Sequence, residues 1–174
     1  IHLVLFVHRV ENLSPGLYVL ARSEPGEKLL RENLSSEFDW IKPDTAPEHL
    51  MFYQLATGDA RDTARVISCH QDIAADSAFS LGMLAEFDNT IENKPWQYRQ
   101  LFWEAGMIGQ ILYLEAEAAN VRATGIGCYF DDVMHEMLGI QNTALQSMYH
   151  FTVGTAVTDE RLITELPYLH LKNS

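Results

Sequence analysis

The stretch that decides the fold runs from Trp96 to Ile140. It reads WQYRQLFWEAGMIGQILYLEAEAANV (96–121), then Arg122, ATGIGCYF (123–130) and DDVMHEMLGI (131–140). Leu101, Ala105, Ile108, Leu112 and Ala116 recur at helical spacing, and Phe102, Met107, Ile111, Tyr113 and Leu114 widen the apolar arc almost all the way round. Such a helix is expected to be buried and central. Gly106 and Gly109 near its middle each cost roughly 1 kcal/mol relative to Ala, which suggests that they admit a second backbone or a flat ligand. A β-like run follows, ending in Gly127, and a short helix begins at Asp131.

Working outward, Leu3–Val10 and Leu17–Arg22 read as two strands joined at Pro15-Gly16, a type II turn signal. GEKLLREN (26–33) reads as a helix, and the Pro-containing stretch 35–50 as a loop that could cover a site. MFYQLA (51–56) is a strand, and Asp59 stands where an N-cap belongs for one helix over 60–73. Ser77–Phe87 and Tyr149–Val153 are further apolar strands. Interleaved strands and helices over 174 residues with 47% hydrophobic content predict one α+β layered domain, 1–174.

The formal charge of −12 and a pI near 4.8, with no basic stripe, argue against nucleic acid as a partner. Glu104 and Glu115 interrupt the long helix, so no membrane span is expected. Cys69 and Cys128 are the two cysteines, too few to suggest a disulfide framework; a reducing, cytoplasmic setting and apolar packing of Cys128 are expected. Asp131 and His135 have metal-clamping spacing, but no third ligand is evident, and an acidic first helical turn explains the same residues. No Gly-x-Gly-x-x-Gly, Walker or Gly-x-Ser-x-Gly string is present. The strand-like, Met-less start at Ile1 reads as the later part of a longer polypeptide.

Several of these segments together resemble the nitroreductase-like flavoproteins, in particular the SagB-type dehydrogenase branch. The long helix with its Gly106-x-x-x-Gln110 element, the strand ending in Ile126-Gly127 and the acidic turn match in order. So do VENLSPGLYVL (10–20), SCHQDIAADSAFSLGMLAEF (68–87) and TVGTAVTDERLITELPY (152–168). The resemblance implies a nitroreductase-like sandwich, with the apolar helix on a mostly antiparallel sheet and without the family's N-terminal Arg-x-Ser-x-Arg flavin-phosphate helix. It implies FMN as cofactor and hydride or electron transfer from NAD(P)H or an azoline-like substrate to an acceptor. Ile126, Gly127 and Cys128 take the place of the backbone that lies against the flavin ring, with Tyr129 beside them. Gly154 allows close approach, and Arg161 takes the phosphate-binding position; the alternative for Arg161 is a surface ion pair with Asp159 or Glu160.

The family's flavin sits at the seam of a two-fold homodimer or of two tandem domains, so an isologous pairing through the long helix is expected, with a small molecule or modified peptide as substrate. Gln71 and Gln110 are read as amides that satisfy backbone groups. The missing Arg-rich helix and the Ala-Ala-Asn-Val end of the long helix leave a second reading open, a non-catalytic half-domain that scaffolds a catalytic copy.

Overall fold

The computed structural model describes residues 1–92 and 94–171. Six strands form one sheet: β1 His2–Val7, β2 Gly16–Ala21, β3 Met51–Thr57, β4 Phe79–Glu86, β5 Arg122–Ile126 and β6 Leu145–Gly154, in the order β3-β2-β1-β4-β6-β5. Every neighbouring pair is antiparallel. The helices are α1 Glu24–Asn33, α2 Arg61–Ile67, α3 Asp72–Asp76, α4 Asp88–Ile91, α5 Tyr98–Ala118 and α6 Asp131–Leu138.

Period-two alternation divides each strand between two cores. Val4, Phe6, Val19 and Leu84 face one side, where Leu30 of α1, Ile67 of α2, Ala74 of α3 and Met134 and Leu138 of α6 cover them. Leu3, Leu81, Met83 and Phe151 face the other, where α5 supplies Leu101, Ala105 and Ala116. The expected α+β sandwich is the observed architecture. Each fully buried Leu or Met contributes roughly 1.5–3 kcal/mol, so the double-sided sheet is the main source of stability.

Four sequence expectations are corrected. The β1–β2 connection is a longer loop, residues 8–15, with Asn12 rather than Gly16 in the left-handed region (φ 63°). Gly16 is needed for another reason: a Cβ there would stand 2.3 Å from the Ala56 carbonyl oxygen of β3. The helix expected over 60–73 is two helices, because Cys69 and His70 both take positive φ (54° and 59°) and break the ladder. Asp59 acts one position earlier than expected, accepting from the Arg61 amide at 3.1 Å, while Ala60 occupies the N-cap.

The fourth correction concerns α5. Only Leu101, Ala105, Gly109 and Ala116 of α5 are buried, whereas Met107 (65% exposed), Leu114 (60%) and Trp103 (57%) face outward. A single sheet face can cover only a narrow stripe of a helix, so the remaining apolar arc is left uncovered.

Loop 35–50 lies along the β3 edge, where Asp39 and Ile41 amides donate to Leu55 and Gln54 carbonyls (both 3.0 Å). It therefore flanks the opposite edge of the sheet from β5. Among the described residues no helix is long and apolar enough to cross a membrane, and no group of three or more His, Cys, Asp or Glu could hold a metal ion.

Candidate functional site

β5 is an edge strand and its two ends gather different chemistry. Antiparallel pairing sets Arg122 against Gly154 and Ile126 against His150, so Gly154 and Gly127 lie at opposite ends of the strand, about 17 Å apart at 3.3 Å per residue. Arg122, Thr124 and Ile126 share a face by alternation.

At the Ile126 end, Ile126 is buried in the core, so its side chain is committed to packing and only its backbone is open to a ligand. Gly127 is exposed, and a Cβ built there would have no neighbour within 4 Å. Its backbone is bare. Gly125, two residues earlier, is the reverse: a Cβ would collide with the Tyr149 hydroxyl at 1.8 Å, and its amide donates to Tyr113 Oη at 2.9 Å. Of the two glycines in TGIG, one is required by internal packing and the other is open.

Cys128 is not a packed thiol but forms a disulfide with Cys69 across 59 residues of sequence, Cα–Cα 5.8 Å. No sequence spacing announces this pairing. The fold creates it by laying the end of α2 beside the turn that follows β5. Two hydrogen bonds run alongside, from the Phe130 amide to the Ile67 carbonyl (2.8 Å) and from Gln71 Nε2 to the Cys128 carbonyl (3.1 Å). Gln71 thus satisfies backbone groups as expected, whereas Gln110 is exposed on α5.

Tyr129 stacks on His150, centroids 4.3 Å apart and planes 15° from parallel. Burial pushes the His150 imidazole down to about 4 and the Tyr129 phenol up. Space for the imidazole comes from Gly82, the residue paired with His150; a Cβ there would approach Met134 Cε at 2.8 Å and His150 Cε1 at 3.1 Å. A bulge at Met148, where Leu84 pairs with Ser147 and Met83 with Tyr149, turns Ser147 onto the His150 side. Their side chains hydrogen-bond at 2.9 Å, and the Ser147 amide donates to His135 Nε2 at 3.1 Å.

At the Arg122 end, a cleft of about 440 Å³ is lined by Arg122, Thr124, Thr152, Gly154, Thr155 and Asp76, among others. Gly154 fits closely against the Ser77-Ala78 backbone, both atoms 3.0 Å from a Cβ position. Sequence reading missed Arg122 and the three threonines. The signal available was the i, i+2 spacing of Arg122 and Thr124 on β5, with Thr152 opposite Thr124 on β6, which puts polar groups on one face of two paired strands; Thr155, just past the end of β6, carries no such signal. Arg161 lies apart, in the exposed tail, where Asp159 accepts from its Nε and Nη2 (2.8 and 2.6 Å). This fork-to-fork pair holds the carboxylate below its usual range. The structure therefore brings Ile126, Gly127, Cys128 and Tyr129 together, sets Gly154 at the far end of β5, and leaves Arg161 outside both groups.

Comparison with solved structures gives the same architecture. A crystal structure of an Anabaena variabilis protein assigned as a nitroreductase superimposes with TM-score 0.63 at 21% identity, over 88% of this chain and 26% of that one. The fold is nitroreductase-like. A Ralstonia eutropha protein assigned the same way gives 0.55 at 16%, over 91% and 59% of the two chains. A chain of the E. coli microcin synthetase McbBCD complex, solved with truncated pro-MccB17 bound, gives 0.55 at 16%, over 91% and 52%. The chain thus spans between about a quarter and six tenths of the length of these structures. No protein-family model and no curated protein matches the sequence.

Proposed function

We propose that this chain forms part of an FMN-dependent, nitroreductase-like oxidoreductase, with the flavin ring against the Ile126–Tyr129 backbone. The observation that carries the reading is the unobstructed Gly127 backbone at the end of β5, in a fold of the nitroreductase type. A planar ring needs such a surface, and a glycine supplies it without a side chain to displace. The other end of β5 suits an anionic tail: Arg122, Thr124, Thr152 and Thr155 line the cleft beside Gly154, and the Arg122 guanidinium, paired with Glu117 at 3.2 Å, would exchange that carboxylate for the incoming anion. Arg122 must outweigh Asp76, which lines the same cleft. Arg161 joins that end by exchanging Asp159 for phosphate, a like-for-like replacement of one anion by another.

Bound FMN would supply hydride and electron transfer between NAD(P)H or an azoline-like substrate and an acceptor. This chain's residues position and shield it. The Cys69–Cys128 link and the Ile67 and Gln71 hydrogen bonds fix the turn that meets the ring. Tyr129 lies over His150, excluding water from an imidazole that burial keeps neutral. The remaining contacts come from a second nitroreductase-like unit, a copy of this chain or a tandem domain, seated on the exposed face of α5. A groove of about 240 Å³ between Phe102, Gly106, Gly109, Gln110, Tyr113 and Tyr149 on that face would receive side chains of such a neighbour. The SagB-like motifs, and the likeness to the microcin synthetase chain, support a modified peptide as substrate.

The test is the visible spectrum of the purified full-length protein with and without added FMN. Flavin absorption bands that persist through gel filtration are expected, and Arg122→Ala is expected to weaken FMN binding by roughly tenfold. A colourless protein that cannot be loaded sinks the reading. It would favour instead a non-catalytic half-domain pairing with a catalytic copy, which the engagement of Arg161 by Asp159 and of Tyr129 by His150 also favours.

A further inference from the structure

The geometry points to a redox-modification site: Cys69–Cys128 is an exchangeable disulfide whose state sets how firmly the Gly127–Phe130 turn is held. Its consequence for cofactor affinity rests on the flavin reading above; its effect on the turn does not. Three observations carry it. Cys128 is exposed and Cys69 half-buried, so an incoming thiolate can reach the bond. Cys69 and His70 sit consecutively at φ 54° and 59°, a conformation that non-glycine residues leave unless something holds them there. And the bond joins two segments whose other described ties are slight: the Phe130–Ile67 and Gln71–Cys128 hydrogen bonds and an edge-on contact of the His70 and Phe130 rings at 6.1 Å.

The chemistry balances with a dithiol as reductant. One thiolate of the dithiol attacks Sγ of Cys128, forming a mixed disulfide and releasing the Cys69 thiolate, which takes up a proton. The second thiolate of the dithiol then attacks its own sulfur in that mixed disulfide and releases the Cys128 thiolate, which is protonated in turn. The dithiol leaves as a cyclic disulfide, two electrons poorer, and the protein gains two electrons and two protons. With the link open, Cys69 and His70 are free to relax to negative φ, and the turn bearing Gly127 keeps its hydrogen bonds, the His70–Phe130 edge contact and the stack of Tyr129 on His150.

The experiment compares the full-length protein, oxidised and after incubation with dithiothreitol, and the Cys69→Ser/Cys128→Ser variant. Alkylation followed by mass spectrometry counts thiols, amide exchange reports residues 67–71 and 127–130, and FMN titration reports affinity. Expected are two new thiols on reduction under native conditions and exchange at 127–130 faster by roughly tenfold or more, with β4 and β6 unchanged. The variant should behave as the reduced protein, and FMN affinity should fall in both. Resistance to dithiothreitol without denaturant, or exchange at 127–130 that is the same in all three samples, overturns the inference. A protein that never binds FMN removes the flavin reading instead, and the exchange comparison still decides the clasp.

Discussion

Gly125 and Gly127 look equivalent in the string TGIG, yet they have opposite duties. Gly125→Ala places a methyl 1.8 Å from the Tyr149 hydroxyl and 2.8 Å from its Cζ, an overpacking expected to cost about 1–3 kcal/mol in urea unfolding. Tyr149→Phe should recover part of that loss, because it removes the nearer atom. Gly127→Ala should change stability by less than about 0.5 kcal/mol, since nothing stands within 4 Å, while weakening FMN binding under the proposed function. Equal destabilisation by the two alanines would show that the open backbone at Gly127 has been misassigned. Sequence alone supplies the glycines but not their neighbours: Tyr149 reaches Gly125 from a strand 24 residues away in the chain, and pattern reading does not register that approach.

β6 shows what an irregular element accomplishes. Its bulge puts Ser147 beside His150, and burial lowers the His150 imidazole from 6.5 to about 4. The unfolded chain therefore takes up its proton first as pH falls. The stability that His150 contributes is complete above about 6.5 and is lost as pH drops toward 4, an effect of ~3 kcal/mol. His8 and His135, also lowered by burial, steepen the same window. Urea midpoints at about pH 7 and about pH 5 should differ accordingly, and His150→Asn should flatten the slope while lowering stability at both; a flat wild-type profile would remove the neutral buried imidazole. The boundaries of α6 were legible from the acidic turn and the other strands from alternation, but β6 begins at Leu145 rather than at Tyr149, because the bulge at Met148 breaks the period-two pattern there. The break between α2 and α3 was not legible, because residues 60–73 keep a helical pattern and nothing in it marks Cys69 and His70 for the left-handed region that interrupts it. Closing the 59-residue separation of Cys69 and Cys128 is worth about 4 kcal/mol in the chain-entropy view.

For the whole molecule, α5 is decisive. Its periodicity announced an apolar rod, and a rod greasy on most sides was expected inside; what periodicity cannot tell is whether the cover comes from the same chain. Here the sheet takes one stripe and the remainder faces outward. Met107→Glu should leave monomer stability within about 0.5 kcal/mol, since Met107 is largely exposed, but should abolish the proposed self-association, read by sedimentation velocity. An unchanged sedimentation coefficient, whether monomeric or dimeric in both proteins, would remove α5 as the pairing face.

The strand order carries a consequence for how the chain is born. β1, β2 and β3 pair within residues 2–57, but the other side of β1 waits for β4, whose Ser80 and Leu84 lie opposite Phe6 and His2. Synthesis must run on through Leu84, about 80 residues past His2, before that seam can close, and until then the rim of β1 beside Val4 and Phe6 lacks its β4 partner. Nascent chains of this protein thus pass through an interval in which a sticky half-sheet is finished and its natural neighbour is not, which is where a holding chaperone would find its footing.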